Sequence, residues 1–187
     1  MINVYEDADF DKALRLKKKL MAIYLVTFGI TLIFCAVFFV FALLLPYAST
    51  DEIKFKKTLY LVLCSAATGI FIIWSFVYLG IPYKRARAYF RLMDDIKRGQ
   101  KNVSESTFLQ NDEGIYEVSN VDYHHMVVLE WSDKTQEYMR WNVLVDKEKP
   151  MPDLKSGDII VYVTHANVLL SYGLKSEEKI FDGIDNV

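Results

Sequence analysis

The sequence predicts an integral membrane protein in which a hairpin of two transmembrane helices is followed by a small antiparallel β-barrel, OB-like or SH3-like. Three observations predict this fold. Residues 21–45 and 58–83 form two apolar runs without a charged residue. From residue 102 onward, apolar residues alternate with polar ones, which is the pattern of β-strands. Lysine and arginine are denser outside the pair of runs than between them, which indicates how the hairpin is oriented.

The two apolar runs are long enough to cross a bilayer as helices. Residues 21–45 are 25 residues and residues 58–83 are 26, whereas a hydrocarbon core of ~30 Å needs about 20 helical residues. Pro46 follows the first run, and proline cannot continue a helix interior without losing a hydrogen bond. Because only residues 47–57 connect the runs, the two helices are predicted to be antiparallel neighbours.

The predicted hairpin contains small residues but no aspartate, glutamate, lysine, arginine or histidine in either apolar run. Gly29, Ser65 and Gly69 are candidates for close helix–helix packing, since small side chains let two backbones approach. Cys35 and Cys64 both lie inside the apolar runs, so they do not form the disulfide framework of a secreted domain. Proton relays and ion pathways place charged groups within the membrane, so the two helices alone do not form such a path.

The distribution of basic residues predicts that both termini are cytoplasmic. Five lysines or arginines precede the first run and seven lie within residues 84–101, against three in the link, and cytoplasmic flanks carry the excess. The basic residues nearest the bilayer are predicted to contact anionic headgroups. They are Lys17, Lys18, Lys19, Lys84, Arg85, Arg87 and Arg91.

A basic amphipathic helix is predicted at residues 83–99, next to the membrane. Ala86, Phe90, Met93 and Ile96 recur at helical spacing and share one face, and Gly99 is typical of a position just past a helix end. The helix is either a stalk that continues the second span or a basic stripe that lies on the lipid surface.

Residues 102–174 are predicted to form a cytoplasmic domain of five or six short antiparallel strands, followed by a polar tail at 175–187. A meander of this size commonly closes into a small barrel, since closure removes sticky strand edges; a PH-like sheet is the alternative. The stretch 154–158, followed by apolar alternation, resembles soluble barrels that are tethered to membrane hairpins in bacteria. A bacterial plasma membrane is therefore the expected location.

The charge of this domain excludes one class of partner. Residues 102–187 carry 16 acidic and 7 basic side chains, whereas nucleic-acid binding requires basic groups that neutralise phosphates. The bilayer and a protein partner, or a second copy of the chain, are the partners that the sequence predicts.

The sequence contains no recognisable catalytic, cofactor-binding or metal-binding motif. His124 and His125 are adjacent on a predicted strand and point to opposite faces, and no cysteine or histidine pair has zinc spacing. Trp131 and Trp141 flank a predicted hairpin turn and either pack in the core or, with His165, form an exposed surface for a partner.

These observations predict a non-enzymatic, membrane-anchored interaction module that presents an acidic β-domain to a protein partner or to itself. Two alternatives stay open. One is an accessory or pore-forming subunit of a membrane transport complex. The other is a membrane-tethered enzyme that uses His165 and nearby carboxylates.

Overall fold

The computed structural model describes residues 1–46, 50–132 and 134–175, which divide into two compact units. The helical unit is Ala13–Arg87. The barrel unit combines Met1–Lys12 with the described residues from Ala88 onward. Residues 176–187 of the predicted tail at 175–187 lie outside the described residues, as do positions 47–49 of the link.

Two long apolar helices account for the predicted spans. Helix α1 is Asp7–Leu44 and helix α2 is Asp51–Tyr78. A π-helical turn, Leu79–Tyr83, contains Pro82 and leads directly into helix α3, Lys84–Arg98. A wider turn accommodates a proline that has no N–H to donate. Both long helices have the length and apolar composition needed to cross a membrane.

Hydrogen bonds from one tyrosine hydroxyl and two cysteine thiols to backbone carbonyls join the antiparallel helices α1 and α2. The Tyr78 hydroxyl donates to the carbonyl of Leu20 at 2.9 Å. Further along, the Cys64 thiol donates to the carbonyl of Cys35 at 3.5 Å, and the Cys35 thiol donates back to the carbonyl of Cys64 at 3.9 Å. Pairing of residue 20 with 78 and of 35 with 64 shows that the helices run in opposite directions.

The small residues predicted to pack the helices together do not lie where α1 and α2 approach each other. A Cβ atom added at Gly29 or Gly69 would have no neighbour within 4 Å, and Ser65 is exposed. The close approach within the hairpin is therefore made at the two cysteines, whose side chains are also small.

Five strands close into a barrel, and a sixth short strand pairs with one of them. The strands are β1 (Ile2–Asn3), β2 (Asn102–Val118), β3 (Val121–Ser132), β4 (Glu137–Asp146), β5 (Ile159–His165) and β6 (Val168–Leu174). Strand β2 pairs antiparallel with both β3 and β5, β3 pairs with β4, and β5 pairs with β6. A parallel contact between Leu144 of β4 and Val168 of β6 closes the ring.

The N-terminus belongs to the barrel unit, which the sequence did not predict. Strand β1 pairs antiparallel with β6, with Ile2 opposite Tyr172 and Asn3 opposite Ser171. The Val4 amide continues this pairing by donating to the carbonyl of Leu170 at 2.8 Å. The chain therefore contributes to the same sheet before and after the helical hairpin.

The barrel core consists of inward-facing residues from all five closing strands. It contains Phe108, Met126, Val128, Val143, Val145, Ile160, Tyr162 and Leu169. Two tight turns, at residues 119–120 and 166–167, have left-handed backbone at both positions. Such turns match the twist of the strands that they join, and asparagine at the second position tolerates this conformation.

Helix α3 is amphipathic, and it uses two apolar faces instead of the single predicted one. Phe90, on the predicted face, packs against Phe10 of α1 with ring centroids 5.5 Å apart. A neighbouring face carries Tyr89 and Leu92, which pack on a second barrel cluster that includes Tyr123.

Candidate interaction surface

The hairpin of β3 and β4 extends beyond the end of the barrel. The two strands pair without a break from Tyr123 opposite Asp146 to Ser132 opposite Glu137. The neighbouring strand β2 begins to pair with β3 only at Leu129. The first six residues of β4 are exposed and its last four are buried. We call the projecting part, residues 129–132 and 137–142, the hairpin tip.

The hairpin tip exposes large aromatic and apolar side chains on both of its faces. Tyr138 is 67% exposed and lies edge-on to Trp131, with ring centroids 5.1 Å apart. Trp141 and Met139, on the other face, are 51% and 50% exposed. Exposed aromatic residues grouped in one place are typical of protein interfaces.

The outer edge of β4 is only partly paired. The Leu144 amide donates to the carbonyl of Asn167 at 2.9 Å, and the side-chain amide of Asn167 donates to the carbonyl of Asn142 at 2.7 Å. Backbone groups of alternate residues point to the same edge, so those of Arg140 and Tyr138 also point outward. Among the described strands, none pairs with β4 on this side before Leu144.

Asn167 also fixes the orientation of Trp141. Its side-chain carbonyl accepts a hydrogen bond of 3.0 Å from the indole N–H. The polar part of the indole is thus satisfied within the chain, while half of the side chain stays in contact with solvent. The hydrogen bond therefore holds the indole in place without burying it.

His165, the third residue of the predicted surface, lies apart from the exposed aromatic residues. Its Nδ1 is 2.8 Å from the carbonyl of Gln100, and its ring is so close to Gly99 that a Cβ at this glycine would collide with it. The histidine is half-buried and packs against the end of α3. The structure thus brings Trp131 and Trp141 onto one hairpin and places His165 elsewhere.

The two adjacent histidines of β3 contact different partners. The His125 ring stacks on Tyr116, with centroids 3.8 Å apart, while His124 contacts the carbonyl of Gly114 at 3.1 Å. In the part of the chain that the structure describes, no three histidine, cysteine or acidic side chains are placed to hold a metal ion.

A buried polar network, which sequence reasoning missed, joins the N-terminal segment to the barrel. The Asp146 carboxylate is 1% exposed and accepts hydrogen bonds from the Tyr89 hydroxyl at 2.9 Å and from the Tyr5 hydroxyl at 3.4 Å. Burial and the adjacent Asp146 charge raise the pKa of both tyrosines. In the sequence, the one sign of this network is Asp146, a carboxylate at the end of an apolar strand.

An ion pair between Asp9 and Lys149 reinforces this attachment at 2.5 Å. The Asp9 carboxylate also accepts a hydrogen bond of 2.9 Å from the Glu6 amide. Burial acts to raise the pKa of Asp9, but the hydrogen bonds from Lys149 and Glu6 outweigh it and hold the pKa below its usual value. A charged aspartate therefore stabilises the attached state of the N-terminal segment.

The predicted basic cluster is accessible to solvent. Lys18, Lys19, Lys84 and Arg87 of the helical unit are exposed, and so is Arg91 in the barrel unit. Arg85 is exposed as well and Lys17 is half-buried. Long basic side chains at the ends of apolar helices are typical of contact with lipid headgroups.

No protein-family model, no curated protein and no solved structure matches the chain.

Proposed function

We propose that the chain is a non-enzymatic, membrane-anchored interaction module whose hairpin tip docks another protein molecule. The observation that carries this proposal is the group of exposed aromatic residues beside an unpaired strand edge. Trp131, Tyr138 and Trp141 give contact area with little loss of rotamer freedom, and the edge of β4 offers backbone hydrogen bonds.

Anchoring by α1 and α2 follows from their composition and from where their ends lie. Met1–Lys12 and the residues from Ala88 onward belong to one unit, so both outer ends of an inserted hairpin lie on the same side of the bilayer. The excess of lysine and arginine at these ends favours the cytoplasmic side. This distribution supports the proposal that the barrel and both termini are cytoplasmic and that the basic cluster lies at the headgroups.

The strand order favours an OB-type barrel over an SH3-like one. Counting only the closing strands, the first (β2) pairs with the second (β3) and the fourth (β5), and the third (β4) lies parallel to the fifth (β6). An OB barrel has this Greek-key order. The acidic excess of residues 102–187 separates this barrel from those that bind oligonucleotides, and a protein ligand is the proposed alternative.

Site-specific photocrosslinking in native membranes tests this function. The full-length chain carries benzoylphenylalanine at Tyr138 or, as a control, at Val103, a residue of β2 that is also 67% exposed. We expect a discrete protein adduct from position 138 and none from position 103. The adduct should weaken when Trp131 or Trp141 is replaced by alanine, since the aromatic side chains provide the apolar contact.

Two results would count against the proposal. Equal adducts at 138 and 103 would indicate random collision in the membrane. A complete lack of adducts at 138, in cells that express the chain at its natural level, would mean that the hairpin tip does not dock a protein.

A further inference from the structure

We propose that two copies of this chain join through the outer edges of their β4 strands, so that the sheet continues from one barrel into the next across a two-fold axis. This inference rests on the proposed function, because it names the partner of the same hairpin tip. It follows from which backbone groups point outward and from the side chains that come to lie opposite each other.

Hydrogen bonding of Asn167 defines the open edge. Because Asn167 contacts Leu144 and Asn142 from the outer side, the unbroken register of β4 assigns the outward N–H and C=O groups to Arg140 and Tyr138. Gln136, the next residue in this series, has a φ of 55° and lies outside the strand. The edge therefore offers two residues, each with one donor and one acceptor.

Only a few registers allow two such edges to pair. In an antiparallel pair, residues with outward groups must face each other to exchange two hydrogen bonds. Tyr138 opposite itself forms one such pair. Arg140 opposite itself places two like charges together, and its neighbouring pair would need Asn142, whose carbonyl is already bonded to Asn167. Tyr138 opposite Arg140 of the second copy forms two pairs, hence four backbone hydrogen bonds.

The side chains favour this third register. It sets the Arg140 guanidinium beside the Tyr138 ring of the second copy, twice, and a cation over an exposed aromatic ring is worth about 0.5–1 kcal/mol. Met139 meets its own counterpart on the axis, and Glu137 lies opposite Trp141. No two like charges are directly opposite, which matters because cross-strand neighbours interact most strongly.

Electrostatic repulsion limits contact between two barrels to the edge of β4, and anchoring in one bilayer brings the copies together. Residues 102–187 carry 16 acidic and 7 basic side chains, so two barrels repel each other over most of their surface. The pairing edge itself contains one acid, Glu137, and one base, Arg140. Anchoring in one bilayer raises the effective concentration of the copies, and added salt strengthens the pair because it screens the repulsion.

Disulfide trapping of the full-length chain in lipid vesicles tests the register. Cys35 and Cys64 are first replaced by alanine, and Met139→Cys is compared with Val103→Cys, an exposed control on β2. Facing residues in a non-hydrogen-bonded pair have Cα atoms ~4.5 Å apart, which a disulfide spans. With copper phenanthroline as oxidant, we expect a covalent dimer at position 139 and at least about tenfold less at position 103.

A second pair of variants separates the strand edge from the side chain. Arg140→Ala keeps the backbone but removes both guanidinium–ring contacts, so it should lower trapping at position 139 about fivefold to thirtyfold. Arg140→Pro removes the same side chain and also an outward N–H in each copy, without removing a bond to β3, so it should lower trapping about tenfold further than Arg140→Ala, which corresponds to the loss of two hydrogen bonds. Near-ultraviolet circular dichroism checks that both variants fold. The comparison of trapping at positions 139 and 103 does not depend on either Arg140 variant.

Equal trapping at positions 139 and 103, or trapping that Arg140→Pro leaves unchanged in a folded chain, would overturn the self-pairing. If position 138 then yields a photoadduct with a different protein, the docking function stands and only the second copy is excluded. If it yields none, the docking function fails as well.

Discussion

Two side chains with almost the same exposed fraction illustrate how differently the two units are built. Ile33, near the middle of the first apolar run, is 64% exposed, and Tyr138, on the hairpin tip, is 67% exposed. In the helical unit such exposure is general, since α2 has no buried side chain along its described length. In the barrel unit exposed and buried large apolar residues occur side by side along the closing strands, and the hairpin tip groups four exposed ones, Trp131, Tyr138, Met139 and Trp141.

The difference shows that an exposed apolar residue can be interpreted only when its solvent, lipid or water, is known. A helix that is apolar all round suits lipid, where exposed leucine and phenylalanine cost nothing. A group of exposed aromatic residues on an acidic barrel is unfavourable in water unless something covers it. Under the proposed function, the same exposed fraction belongs to an anchor in one unit and to a docking surface in the other.

Placing the same charge at the two matched positions should give the largest contrast. Ile33→Arg brings a guanidinium to the middle of the bilayer and should oppose insertion by about 3 kcal/mol. Tyr138→Arg exposes the charge to water and should change the free energy of unfolding of the barrel by less than about 0.5 kcal/mol. Carbonate extraction of membranes measures the first effect, and thermal unfolding in detergent measures the second.

If Ile33→Arg inserts as fully as the unmodified chain, lipid is not the solvent of α1, and the comparison fails. A loss of barrel stability in Tyr138→Arg would instead mean that the hairpin tip is part of the fold and not a free surface.

Removing the buried carboxylate of Asp146 should destabilise the barrel unit by a similar free energy. Asp146→Ala leaves the hydroxyls of Tyr5 and Tyr89 and the Glu148 amide without their acceptor, which should cost about 3 kcal/mol. The control is Asp153→Ala, because Asp153 is exposed. Denaturant unfolding of the full chain, followed by near-ultraviolet circular dichroism, compares the two variants. Equal losses would show that the polar network does not support the barrel.

Acid should have the smallest effect, confined to the N-terminal segment. The pKa of Asp9 is held below its usual value in the folded chain, so its contribution to stability is present at neutral pH and is lost as the pH falls through the folded pKa. Hydrogen exchange at the Val4 amide, which bonds to Leu170, should therefore speed up at low pH relative to Asp9→Asn. An unchanged ratio of the two rates would show that the Asp9–Lys149 ion pair does not hold the segment.

Local patterns predicted most of the elements but did not decide between burial and exposure for one face of β4. Trp141 has the same strand parity as Val143 and Val145, which are in the core, and alternation therefore favours a buried tryptophan. The strand continues past the end of the barrel, where the inward face has no opposite wall. Alternation identifies the face of a strand; it does not say where the barrel ends.

The N-terminal strand escaped prediction for a related reason. Two residues, Ile2 and Asn3, are too few to show a period, and their partner strand β6 is about 170 residues away along the chain. Helix α3 was predicted to within one residue at each end, since its signals are all local. Its second apolar face, with Tyr89 and Leu92, becomes recognisable only beside the barrel.

The sequence by itself determined the two long apolar helices, the helix that follows them and the strands after residue 102, because charge-free length and residue periodicity act over neighbouring positions. The tertiary structure alone decided that the N-terminus joins the barrel, that β4 closes the ring beside β6, and that the hairpin tip is exposed. These features depend on which distant strands pair and in which register, and the free energy of such pairing comes from contacts between residues far apart in the chain.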